Sequence, residues 1–260
     1  MKIACICLDD PIYLPRYLDR FFDAQADSLE LVVLVSPQLP SESMRAYIKR
    51  LLGMYGVGPF VIQAVRVVFL RGLAVFAQFL PITEYKTISQ MTKQRGIPCV
   101  RVGNINSDKT LALLNNLETD LIISIAVPQI FKKPLLDLPS LGCINVHGGY
   151  LPDYRGVFSS FWVLCNNEST TGASVHYMTE GIDDGEIIAR HRLPITSEDS
   201  VDSLCFRTAE LGINLLCDSV NLIRKDEVLP IPNETGKGRY NSFPKSQDRK
   251  VFRSWGKSYF

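Results

Sequence analysis

Apolar residues in this chain gather in short runs, and polar caps with helical spacing fill the stretches between them. Residues 2–8 read as a first buried strand and residues 29–36 as a second, since each is a continuous apolar run too short for a helix. Residues 121–126 and Cys143–His147 repeat the pattern, and two further strands are expected at 172–178 and 187–195. Asp9-Asp10-Pro11 opens a helix that should reach about Gln25. Asp199-Ser200 opens a long one, apolar at Leu204, Leu211, Leu215 and Val220, ending near Lys225. Strands alternating with helices imply right-handed βαβ crossovers. The expected fold is α/β: an open, mostly parallel twisted sheet with helices on both faces, Rossmann-like, plus a short C-terminal extension. Residues 1–230 are expected to form the body and residues 231–260 a tail.

Two segments depart from that rhythm. Residues 54–80 are strongly apolar but carry Arg66 and Arg71. A membrane span needs about 20 mostly uncharged residues, and central arginines are costly there. The expectation is a core or subunit-contact helix. The alternative is an interfacial helix that brings Arg66 and Arg71 to lipid or nucleotide phosphates. The tail interleaves Lys and Arg with Tyr240, Phe243 and Trp255, which suits either phosphate contact with base stacking or peripheral packing with a solvated basic face.

Composition narrows the partners. The formal net charge is +1, so no global basic field advertises nucleic acid. Seven cysteines occur without a CxxC pair, and Cys5, Cys7, Cys143 and Cys217 lie in apolar runs as buried free thiols do. Neither a disulfide framework nor a metal site is expected, and a reducing cytoplasm fits. The first residues run too soon into Asp9-Asp10 for a signal peptide. No GxGxxG follows the first strand, so a dinucleotide fingerprint is missing.

The candidate chemistry gathers at the fourth run. Side chains on a strand repeat every two residues, so Asn145 and His147 share a face. Gly148 and Gly149 follow, where a ligand could approach the backbone. An amide donor and a titratable imidazole at the carboxyl end of a strand suit acyl transfer. Loop capping is the plain alternative. Asp183 and Asp184, before Gly185, could orient an imidazole or serve as turn residues. His176 lies on one strand face with Ser174 and Met178, toward the site region or as a hydrogen-bonded strand histidine, and His191 is read as solvated.

Three segments taken together, Asn-x-His at 145–147, Leu-Pro-x-Tyr-Arg-Gly at 151–156 and Thr-Gly-x-x-x-His-x-x-x-x-x-Ile-Asp-x-Gly at 171–185, resemble the signature of the folate-dependent formyltransferases. The likeness is strongest over residues 95–200. It implies transfer of a formyl group from 10-formyltetrahydrofolate to a primary amine, with Asn145, His147 and Asp183 as the catalytic set. By the same resemblance Ile125, Ala126, Val127, Pro128, Gln129 and Ile130, with Glu180, Gly181 and Ile182, line the folate pocket. Gly148, Gly149, Tyr150 and Arg155 form a substrate loop, Arg155 bracing it. The glycinamide ribonucleotide enzymes lack an insertion like 54–80, and the tail is too short for the C-terminal barrel of the methionyl-tRNA enzymes. A nucleotide-linked amino sugar is therefore the expected acceptor, with methionyl-tRNA or glycinamide ribonucleotide as alternatives. A formyltetrahydrofolate hydrolase and a non-catalytic binding module are the remaining rivals.

Overall fold

The computed structural model describes residues 1–76 and 86–260. Residues 77–80, the end of the apolar segment noted above, lie outside the described residues. The chain runs β1 (Ile3–Leu8), α1 (Pro15–Ala24), β2 (Leu29–Val35), α2 (Met44–Tyr55), α3 (Val57–Phe76), α4 (Ile88–Gln94), β3 (Cys99–Val102), α5 (Asp108–Asn116) and β4 (Leu121–Ile125). It continues through α6 (Lys133–Leu136), β5 (Cys143–His147), β6 (Tyr154–Gly156), α7 (Ser159–Cys165), β7 (Thr170–Tyr177) and β8 (Ile187–Pro194). The last elements are α8 (Val201–Arg224), β9 (Arg239–Asn241) and α9 (Ser246–Ser254).

Among the described residues seven strands form one sheet in the order β3-β2-β1-β4-β5-β7-β8. Pairing is parallel from β3 to β5, whereas β7 and β8 join antiparallel. Alternation along β1 explains the layers. Ile3, Cys5 and Cys7 meet Leu18 and Phe22 of α1 and Ile213 and Leu216 of α8 on one face. Ala4 and Ile6 meet Leu114 of α5 and Leu135 of α6 on the other. A strand buried on both faces must be apolar at every position, which is why these runs are continuous.

The helix starts follow local chemistry. The Asp10 carboxylate accepts from the backbone N–H groups of Ile12, Tyr13 and Leu14, at 3.0, 2.7 and 2.9 Å, so the expected helix opens later, at Pro15. Burial pushes the Asp10 carboxyl up. Ser200 begins α8 with a capping box shared with Ser203.

The tail packs into the body. Strand β9 pairs in parallel with β6, and Phe252 of α9 is fully buried against Phe161, Tyr154 and Tyr259. Phe161 and Phe252 stack with ring centroids 4.9 Å apart. Phe243 is taken up by Arg50, whose guanidinium sits 4.8 Å above its ring, whereas Tyr240 and Trp255 remain exposed.

Of the expected core or subunit-contact helix, α3 corrects the core reading. Ala74 is its buried residue, while Val57, Val61, Val65, Val68 and Phe69 stand in solvent. Its arginines are turned to the protein rather than held out for phosphates. Arg66 pairs with Asp202 at 2.7 Å and Arg71 with Asp9 at 3.5 Å.

Candidate active site

The site forms where β5 ends and β7 begins to run back beside it. Antiparallel pairing sets Asn145 opposite His176 and His147 opposite Ser174. The Asn145 amide lies 3.2 Å from Nε2 of His176. Nδ1 of His176 is 2.7 Å from the Tyr177 carbonyl, which can only accept, so Nδ1 carries a proton, while Nε2 faces both the Asn145 amide and the Asp183 carboxylate. His176 thereby orients Asn145.

Asp183 enters from the loop between β7 and β8 with φ +48, a left-handed conformation to which Asp is well suited. Its carboxylate is 3.5 Å from Nδ1 of His147 through one oxygen and 3.5 Å from Nε2 of His176 through the other. The backbone N–H of Gly156 donates to it at 2.7 Å. Nε2 of His147 donates to the Tyr154 carbonyl at 2.6 Å, so both nitrogens of that ring face oxygens that can only accept. His147 is 6% exposed. Burial alone would push the Asp183 carboxyl up, but the charge of His147, the contacts to His176 and the Gly156 N–H outweigh it. They hold the carboxyl well below the usual carboxylate range. Asp184 is engaged elsewhere, accepting the Thr179 hydroxyl.

The loop after His147 is held from several sides. A Cβ at Gly149 would lie 2.7 Å from His147 Nε2 and 2.9 Å from the Tyr154 carbonyl, so only glycine leaves the imidazole its place. The Ser174 hydroxyl donates to the Gly149 carbonyl at 2.9 Å and accepts from the Leu151 N–H at 3.0 Å. Asn233, from the tail, donates to the carbonyls of Asp183 and Gly185, each at 3.0 Å, bracing the acidic loop from behind.

A family model described as formyl transferase matches residues 83–220. The chain belongs to this family. A methionyl-tRNA formyltransferase from Synechococcus sp. (strain JA-3-3Ab) is 35% identical over 159 residues, covering 61% of this chain and 49% of that protein. The chain thus spans about half the length of the curated relatives it matches. An N-formyltransferase from Helicobacter canadensis, solved in complex with folinic acid and dTDP-3-aminofucose, aligns with a TM-score of 0.60 at 18% identity. That alignment covers 95% of this chain and 72% of the other. Glycinamide ribonucleotide transformylase 1 from Symbiobacterium toebii aligns at 0.57 and 15% identity, covering 87% and 89%. At these identities the two structures establish the fold.

Within this formyl transferase fold the residues expected from the sequence take distinct positions. Asn145, His147 and Asp183 come together. Ala126 to Pro128 lie beside the end of β5, because β4 pairs with it through Ile125 and Val146. Ala126 adopts φ +55 and is exposed, and Ile130 is 60% exposed. Gln129 is used internally: its carbonyl accepts from the Ile105 N–H and its amide donates to the Gly103 carbonyl. Glu180, Gly181 and Ile182 are exposed on the Asp183 loop. Gly148 and Gly149 flank His147. Tyr150 instead turns beneath Arg190 and Arg192, whose guanidinium carbons lie 4.7 and 3.7 Å from its ring centre. Arg155 reaches the Ile182 carbonyl at 3.5 Å, tying β6 to the Asp183 loop. Sequence reasoning missed Tyr154, which acts through its backbone carbonyl, and Asn233, whose side-chain amide holds the Asp183 loop. His176 had a signal, the shared strand face, that left its contact with Asp183 unseen.

Proposed function

We propose that this chain transfers a formyl group from 10-formyltetrahydrofolate to a primary amine. The observation that carries the reading is one buried carboxylate shared by two imidazoles, with the Asn145 amide oriented by the second. Attack of the amine on the formyl carbon places negative charge on the formyl oxygen, and the reading gives Asn145 as a donor aimed at it, with His147 as a second once its Nε2 leaves the Tyr154 carbonyl. The bond from formyl carbon to folate nitrogen then breaks. The amine loses one proton and that nitrogen gains one, so a group that both gives and takes a proton suffices, and His147 fills this role. Asp183 keeps the ring oriented and stabilises its cation. Loops 125–130 and 180–182, on either side of the cluster, are the proposed walls for the donor.

For the acceptor, a nucleotide-linked amino sugar is the reading supported by a cavity of about 200 Å³ beside the Tyr154 strand. Arg192, Lys237, Arg239 and Tyr150 line it together with the acids Asp153 and Glu168, the latter accepting from the Tyr154 hydroxyl; the cations suit phosphate and Tyr150 a ring. Arg192 pairs with Asp153 and Lys237 with Glu234, whereas Arg239 has no salt bridge among the described residues. Methionyl-tRNA is the second reading, favoured by the relatives matched over half their length. Incubation with 10-formyltetrahydrofolate and a panel of amines separates the cases. Transfer yields tetrahydrofolate and a formamide in equal amounts on one class of acceptor. Tetrahydrofolate with free formate, and no formamide on any amine, would overturn transfer in favour of hydrolysis.

A further inference from the structure

Helix α3 presents an uncharged apolar face to solvent. Val57, Val61, Val65 and Val68 recur at helical spacing and are 73%, 51%, 61% and 72% exposed, with Phe69 beside them at 66%. The helix is long and apolar enough to cross a membrane by length and composition. It does not stand free, because Arg66 and Arg71 tie its inner side to Asp202 and Asp9. Contiguous apolar surface of this kind marks an interaction site rather than scattered exposure.

Charge decides what covers it. Residues 43–76 carry five cations and no acid, and residues 245–260 carry five cations against Asp248, in a chain whose net charge is +1. Helix α2 packs against both α3 and α9, so these segments form one region. Arg45, Lys49, Lys250 and Arg253 are exposed and take part in no salt bridge among the described residues. Trp255 and Phe260 are exposed on the same segment as the last two, at 52% and 41%. A second copy docked face to face would bring two cationic rims together. An anionic bilayer meets both features, taking the apolar face at the acyl boundary and the cations among headgroups.

We propose that the chain docks on anionic lipid surfaces through α3 lying in the plane of the interface, with α2 and α9 supplying the cationic rim. Asp9 directly follows β1, so its pairing with Arg71 sets α3 at the carboxyl end of the sheet, the end that holds His147. A docked molecule would meet its acceptor next to the membrane.

Sedimentation of the purified full chain with phosphatidylcholine vesicles, with and without phosphatidylglycerol, tests this. Binding is expected only with the anionic lipid and should weaken about fivefold for each rim cation neutralised, as in Lys250→Gln or Lys49→Gln. Val65→Asp with Phe69→Asp should abolish sedimentation while the melting curve is kept, since both side chains are exposed. Light scattering on the same samples should give a monomer without vesicles. A dimer split by the double variant, with no vesicle binding, would replace the bilayer by a second copy. Equal binding to neutral vesicles, or no binding to either, would overturn the proposal.

Discussion

Asp183 is in contact with both imidazoles of the site, and Asp184 with neither, so the two adjacent acids should separate cleanly on substitution. Asp183→Asn is expected to abolish turnover nearly completely, and Asp184→Asn to leave it close to wild type; the reverse order in steady-state assays would contradict the geometry. His147→Ala should lower turnover by at least about a hundredfold with donor binding retained, because general acid–base catalysis contributes roughly 10²–10⁴. The Asp183 carboxyl titrates lower in the folded protein than in the unfolded chain. The stability it contributes is therefore present above its unfolded value of about 4 and is lost as pH falls through the lowered folded value. Denaturation of wild type and Asp183→Asn, compared below the histidine range, should show a gap that is steady near pH 5 and shrinks progressively as pH falls below about 4. At this scale the sequence was informative where chemistry resides in side chains. Asn145 and His147 shared a face by strand periodicity alone. The Tyr154 carbonyl that holds His147 leaves no trace in residue type, because every residue carries a carbonyl.

Strands β6 and β9 show what that costs at the scale of elements. Each is three residues long, formed by segments distant in sequence, and neither has an alternating pattern to announce it. The edge strand β3, half exposed and four residues long, escaped for the same reason. The six longer strands and the two main helices were legible because both sheet faces are covered. Pairing of β9 with β6, next to the carbonyl that holds His147, makes the tail part of the site's support. Deleting residues beyond Asn233 would remove β9 and the fully buried Phe252, and is expected to unfold the body rather than change affinity for one substrate. Phe252→Ala should cost about 3–5 kcal/mol, visible as a lowered melting temperature. A melting curve unchanged by that substitution would show that the aromatic cluster is dispensable.

For the whole molecule, the near-zero net charge concealed a local excess of cations on α2, α3 and α9, only part of which is paired with Glu42, Asp202 and Asp9. Sequence composition averages over that geometry, so the apolar segment suggested a core or subunit-contact helix, and its outward valines remove only the core reading. Folding also brings Arg239 to the cavity beside Tyr154, beyond what linear spacing could reveal. Arg239→Ala is expected to raise the acceptor KM well above any change in the donor KM; equal changes would remove this cavity from acceptor binding. Formyl transfer by the Asn145, His147 and Asp183 cluster is tested most directly by following an isotopically labelled formyl group from 10-formyltetrahydrofolate. The label should appear in an amide of the acceptor with wild-type protein and with Asp184→Asn, and stay on the folate with His147→Ala. Label released as formate by the wild type, or transferred equally well by His147→Ala, would contradict transfer by this cluster.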